Sequence, residues 1–367
     1  MLRRGGWVAG CSAIGVLGVL LGGLGYAQDA APVVAVSKPP PPAVPSDPPQ
    51  GRIFALTRDM SASSVTFVSG DASDTSEGPQ SLEYLRWSRA GDAYITFDDG
   101  PAEAAPGGVM VVADFLGRAH FDASRDRLIT GERAGLVEPK DLVVADGLGA
   151  IIVADFAESK VAVFDLQADG DAAPRFVTSD LGATDEGEPR RPWGLAYDAD
   201  ADRLFVGGTD GAVLVFDAYL VNRGERGPDR VIIPTLEGEQ TSANVHDLVY
   251  VAAKDMLIAT DVGAATTADQ AGFDVDGKVF VLEDASTLSG AAQVRAQIAG
   301  PATLLGNPVG AAWDGSHLYI TEKTKDVVLR FGDVLSLSGA ADLAPSGAVT
   351  VPHPEAVTVV PETLGSR

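Results

Sequence analysis

Pro192-Trp193-Gly194-Leu195-Ala196-Tyr197-Asp198 leads, after four residues, into Arg203-Leu204-Phe205-Val206-Gly207, and then into Ala212-Val213-Leu214-Val215-Phe216-Asp217. Three short apolar runs separated by Asp- and Gly-rich turns read as three strands of one unit. The turn Thr209-Asp210-Gly211 carries a hairpin signal. The unit recurs upstream, where Pro139-Lys140-Asp141-Leu142-Val143-Val144-Ala145 is followed by Ile151 to Asp155 and Lys160 to Asp165. It returns at Val245-His246-Asp247-Leu248-Val249-Tyr250 and at Pro308-Val309-Gly310-Ala311-Ala312-Trp313. Repeats of this length, each of three or four short strands, specify a β-propeller. The runs are apolar nearly throughout, as expected of strands buried on both faces.

Asp141, Gly194, Asp247 and Gly310 hold equivalent places, at spacings of 53, 53 and 63 residues. A weaker unit begins at Ser81 to Trp87, with Glu83 lying 58 residues before Asp141, and continues through Ala93 to Phe97 and Val109 to Val112. Arg52 to Leu56 and Ser64 to Val68 read as second and third strands lacking a first. His353 to Val360 reads as a first strand lacking successors. Joined, they complete a sixth blade, so the fold expected is all-β, a six-bladed β-propeller over 51–362, closed by pairing of Ala356 to Val360 with Ile53 to Leu56. Closure removes sheet edges that would otherwise be exposed. Seven blades is the alternative, if Phe121 to Thr130 holds another unit.

The stretches after the third strands share a pattern, as in Asp284-Ala285-Ser286-Thr287-Leu288-Ser289-Gly290 and Asp333-Val334-Leu335-Ser336-Leu337-Ser338-Gly339, with outer strands such as Arg230 to Ile233 and Gly347 to Thr350 following. Together with the repeat, this resembles the NHL-type and gluconolactonase-like six-bladed propeller superfamily. The resemblance is to the repeat pattern, which implies fold and carries little about function.

The 367 residues include 46% hydrophobic side chains and carry a formal charge of −24. Such acidity disfavours nucleic acid and anionic lipid as partners. Residues 1–27 read as an export signal: Arg3 and Arg4, an apolar run from Ala13 to Leu24, and small residues at Gly25 and Ala27. The expected location is therefore secreted or periplasmic. Two alternatives keep the protein at a membrane, one an uncleaved helix from Gly5 to Ala27, the other lipidation at Cys11 in Val8-Ala9-Gly10-Cys11. Cys11 is the single cysteine, so the remaining chain has no disulfide and no thiol chemistry. Residues 28–50 hold a dense run of prolines and read as a semi-rigid linker without secondary structure. Residues 363–367 read as a tail. No membrane insertion of the folded body and a monomeric state are expected.

Propeller sites gather around the central channel, on the face where the innermost strands begin. Those starts offer Glu83, Lys140, Asp141, Trp193, Asn244, His246, Asp247, Asn307, His353 and Glu355 as ligand-binding candidates. Such a ring can also be no more than a wetted channel lining. Oxygen ligands from several blades could hold calcium, with Asp141, Asp247, Asn244, Asn307 and Glu355 as the set. The gluconolactonase and paraoxonase families use an axial divalent metal of this kind, although no motif here aligns residue by residue with their ligands. That resemblance implies a calcium-dependent lactonase or esterase, with His246 or Asp247 as the catalytic proton acceptor. Strand alternation, however, sends neighbours His246 and Asp247 to opposite faces.

No nucleophile elbow, phosphate loop or zinc pattern is present. Asp198-Ala199-Asp200-Ala201-Asp202 begins like an EF-hand loop, but Arg203 and Thr209 occupy the positions that need Gly and Glu, so it reads as a turn. The loop from Thr260 to Gly277, with Asp261, Asp269, Asp274 and Asp276, could be a lid, a cation-binding loop or a flexible acidic loop. The favoured reading is a secreted, non-catalytic propeller that binds a protein, glycan or small ligand where the innermost strands begin. The alternative is the calcium-dependent hydrolase.

Overall fold

A computed structural model describes residues 33–37, 51–57, 59–71, 78–79, 81–98, 106–264 and 276–365. The export signal, Cys11, most of the expected linker, Asp269 and Asp274 lie outside the described residues. Six antiparallel sheets form a ring. Their innermost strands are Leu82–Trp87, Pro139–Ala145, Pro192–Asp198, Val245–Val251, Pro308–Trp313 and Pro354–Val359. These head blades 1 to 6 in chain order. Each abuts the next, and the sixth abuts the first.

The alternation hidden inside the apolar runs explains the ring. Val213 and Val215 face the core shared with blade 4. Ala212, Leu214 and Phe216 face the core shared with blade 2. Six such cores, one between each pair of neighbours, hold the blades together. Burial on both faces is why the strands read as uninterrupted hydrophobic runs.

Short parallel strands add a stitch between blades. Gly290–Gln293 pairs with the outer strand Arg230–Leu236. Gly339–Ala341 pairs with Ala296–Ile298 in the same manner. The stretch from Phe121 to Thr130 holds no seventh blade: His120–Phe121 stitches onto Ser63–Asp71, and Arg127–Ile129 is the outer strand of blade 1.

Ring closure corrects two expectations. Val33–Ser37, inside the expected linker, is a fully buried strand. It pairs with Pro354–Val359 on one side and Arg52–Leu56 on the other. Pro354–Val359 therefore does not touch Arg52–Leu56 directly, and the latter is a third strand rather than a second. Prolines flank this run of Val33-Val34-Ala35-Val36-Ser37 without entering it, so they bound a strand rather than forbid one. Val34 and Val36 enter the core shared with blade 1, while Val33 and Ala35 enter the core shared with blade 5. The expected tail also contributes: in the short helix Glu362–Gly365, Leu364 is buried against blade 1.

Candidate functional site

Each innermost strand carries a bulge at its start. In blade 1 the register slips between Leu82 and Leu85, in blade 2 between Pro139 and Leu142, and in blade 3 between Pro192 and Leu195. Blades 4, 5 and 6 slip at His246, Val309 and Glu355. A bulge sets two residues opposite one and re-aims their side chains. This is why the neighbours His246 and Asp247 both serve the channel, in successive layers, instead of pointing to opposite faces.

The backbone groups released by the bulges find partners on the second strands. Tyr84 N donates to Thr96 Oγ1 at 3.0 Å, and Asp247 N donates to Thr260 Oγ1 at 2.9 Å. Thr321 Oγ1 donates to the Glu355 carbonyl of the next blade at 3.1 Å. At Gly194 and Gly310 neighbouring strands come so close that a Cβ would lie 2.5 Å from the His246 carbonyl and 2.8 Å from the Glu355 carbonyl.

The first bulge residue of each blade gives the upper layer, on the face where the strands begin. Lys140 Nζ binds Glu83 Oε1 at 3.0 Å and also meets Asp98 and Glu138. It lies 4.9 Å from the centre of the Trp193 ring. Trp193 stacks on His246 at 3.9 Å and 15°. Lys323 acts electrostatically on His246 and pairs with Glu355. Glu83, Lys140, Trp193, His246, Lys323 and Glu355 thus form a series of interacting groups with one member from each blade. Lys323 reaches in from a loop because the bulge residue of blade 5 is the apolar Val309.

Burial, and after it the ammonium groups of Lys323 and Lys140, hold the His246 imidazole well below its ordinary pKa. It is neutral at neutral pH. Its Nδ1 has no hydrogen-bond partner among the described residues, nor do Oδ1 of Asn244 and Oδ1 of Asn307. His246 is 7% exposed and Asn307 9%. Burial also pulls on Lys140, but Glu83, Asp98 and Glu138 outweigh it and keep the ammonium charged.

The second bulge residues form the floor. Tyr84 crosses the channel from blade 1, and its hydroxyl donates to the carbonyls of Val309 at 2.6 Å and His246 at 3.1 Å. Below it Arg86 Nη2 bridges Asp141 Oδ2 at 2.8 Å and Asp247 Oδ1 at 3.2 Å. Backbone N–H groups add two hydrogen bonds to each carboxylate. Leu142 and Leu195 donate to Asp141, and Leu248 and Ala311 donate to Asp247. Burial pushes both carboxyl groups up, against the pull of the guanidinium.

This arrangement separates residues that the sequence grouped together. Asp141 and Asp247 belong to the floor, where a guanidinium holds the axial position and every carboxylate oxygen already accepts a hydrogen bond. They do not fit a calcium site shared with Asn244, Asn307 and Glu355. Among the described residues no group of three or more His, Cys, Asp or Glu is placed to hold a metal ion. His353 sits at the rim, its N–H on Asp326 Oδ1 at 2.7 Å. Asp261 is buried and accepts the N–H groups of Ala243 and Asn244, which fixes the loop before blade 4. Glu322 does the same for Gly306 and Asn307. Asp198 closes the expected turn by accepting from Asp200 N at 3.1 Å.

Tyr84, Arg86 and Lys323 were missed. Aligning blade 1 on Glu83 placed its column one residue early, since Tyr84 is the true equivalent of Asp141. Arg86 then falls in a column otherwise made of Val143, Ala196, Val249, Ala312 and Thr358. A single charge in that column was the available signal.

No family model matches the chain, and no curated protein matches it in sequence. Solved structures do match. A chain of the nidogen/laminin complex is 13% identical with a TM-score of 0.58, covering 90% of this chain and 99% of that one. A putative 6-phosphogluconolactonase from Bacteroides fragilis is 12% identical with a TM-score of 0.55, covering 92% and 99%. One from Bacteroides uniformis is 11% identical with a TM-score of 0.53, covering 89% and 99%. At these identities the likeness shows the propeller fold alone. No family model or sequence match confirms the NHL-type repeat.

Proposed function

We propose that the chain is a binding propeller whose upper ring takes a neutral, hydroxyl-rich ligand, a glycan or other polyol. The observation that carries this reading is the set of buried polar atoms without hydrogen-bond partners among the described residues, His246 Nδ1, Asn307 Oδ1 and Asn244 Oδ1. His246 and Asn307 lie beside Lys323, which acts electrostatically on the imidazole and donates its N–H to the Asn307 carbonyl. A buried polar atom left unpaired is costly, and a ligand hydroxyl would relieve that cost. Hydroxyl groups also accept, which suits the ammonium groups of Lys140 and Lys323. Four carboxylates, Glu83, Asp98, Glu138 and Glu355, surround those two ammonium groups and disfavour an anionic ligand.

Catalysis by a calcium-dependent hydrolase is the weaker reading, because Arg86 and four backbone donors occupy the carboxylates it would need. Action outside the cytoplasm follows from the export signal read in residues 1–27. The chain enters the closing blade at Val33, whose partner Val359 ends an innermost strand. Val33 therefore lies at the lower face, opposite the upper ring. No helix among the described residues is long and apolar enough to cross a membrane.

A glycan microarray probed with the folded chain tests the reading. Specific binding to a subset of neutral glycans is the expected result. Absence of binding to every neutral glycan, or capture only by sulfated and sialylated ones, overturns it.

A further inference from the structure

On the opposite face the innermost strands end around a cavity of about 380 Å³, a size that suits a small organic ligand. The Tyr84 and Arg86 layer separates it from the upper ring. Its inner wall is aliphatic, from Val143, Ala196, Val249 and Ala312, and Trp87, Tyr197, Tyr250 and Trp313 stand one residue further out. The hydroxyls of Tyr197 and Tyr250 are committed to Asp202 at 2.6 Å and Asp255 at 2.9 Å, in the turns that follow their strands. Their rings, not their hydroxyls, are left to the cavity.

The one charged group lining this cavity is Arg86. Only its Nη2 is engaged, by Asp141 and Asp247, while its Nε and Nη1 make no hydrogen bond within the described residues. The guanidinium side chain is 19% exposed. A donor at the bottom of a carbon-walled funnel calls for an acceptor on an apolar body. The charge balance decides which acceptor. The charge of Arg86 is already met by Asp141 and Asp247, and the whole chain carries −24, so a carboxylate ligand is disfavoured. We infer that the lower cavity is a second binding site, for a small, neutral, largely apolar molecule whose single carbonyl oxygen accepts from Arg86.

Acetophenone, ethylbenzene and benzoate share a ring and differ in the group presented to Arg86. Calorimetric or ligand-observed NMR titration of the intact chain should find acetophenone at least about tenfold tighter than ethylbenzene, the worth of a hydrogen bond to a charged donor. Benzoate should bind more weakly than acetophenone. Val249→Trp should abolish acetophenone binding by filling the funnel, with the thermal midpoint retained. Val143→Trp, on another blade, repeats the test if the first variant does not fold. Equal affinity for ethylbenzene, tighter binding of benzoate, undetectable acetophenone binding, or binding that survives a folded Trp variant overturns the inference.

Discussion

Arg86 shows how one residue can decide what a channel does. Its guanidinium joins blade 1 to blades 2 and 4 through Asp141 and Asp247. Removing one member of a buried ion network leaves charge uncompensated, at a cost of about 3–5 kcal/mol. Arg86→Met should lower stability by that amount in urea unfolding. Adding Asp141→Asn and Asp247→Asn to it should recover a substantial part, because no buried charge then remains. His246 gives a second residue-scale expectation. The unfolded imidazole titrates near 6.5, and burial with Lys323 and Lys140 depresses the folded value. Above 6.5 both states are neutral and nothing is lost. As pH falls below 6.5, the unfolded chain takes up a proton that the fold resists, so stability declines. In His246→Phe, which keeps an aromatic surface on Trp193, that decline between pH 6.5 and about 5 should be shallower than in the parent chain. Five of the six ring members were legible as polar strand starts. The sixth, Lys323, was not, because it comes from a loop and only folding brings it beside His246.

The bulge and the closing strand are the elements on which the site depends. Thr260 accepts the N–H of Asp247 and is fully buried. Thr260→Val keeps the shape and orphans that donor, so a loss of about 1–3 kcal/mol is expected by chemical denaturation. The same change at an exposed threonine should cost far less. Bulges were invisible in the sequence because they differ from regular pairing by a single residue, and the residues that fill them have no common chemistry. Val33–Ser37 was overlooked for a different reason: the density of prolines around it outweighed a run in which three of five residues are valine. Its burial on both faces makes it an inner strand of the ring. Deleting residues 33–37 should give an aggregating chain without a cooperative thermal transition, whereas a linker without core contacts would leave the midpoint unchanged.

For the whole molecule, the repeat was the most legible feature, since both-face burial writes the same apolar runs into every blade. The division of the channel into two unequal ends was not legible, because it depends on Tyr84 and Arg86 reaching across the axis. That division also bears on metals. A ligand that binds only the folded state raises stability by mass action. With Asp141 and Asp247 committed to Arg86, millimolar calcium or its removal by chelator should leave the thermal midpoint unchanged. The central claim is that the upper ring, and not the lower funnel, recognises the hydroxyl-rich ligand. The direct measurement is titration of a glycan selected on the array against three proteins: the parent chain, the His246→Phe/Asn307→Ala double variant and Val249→Trp. Binding lost in the double variant and kept in Val249→Trp is the predicted result. Binding unchanged in a folded double variant would contradict the account.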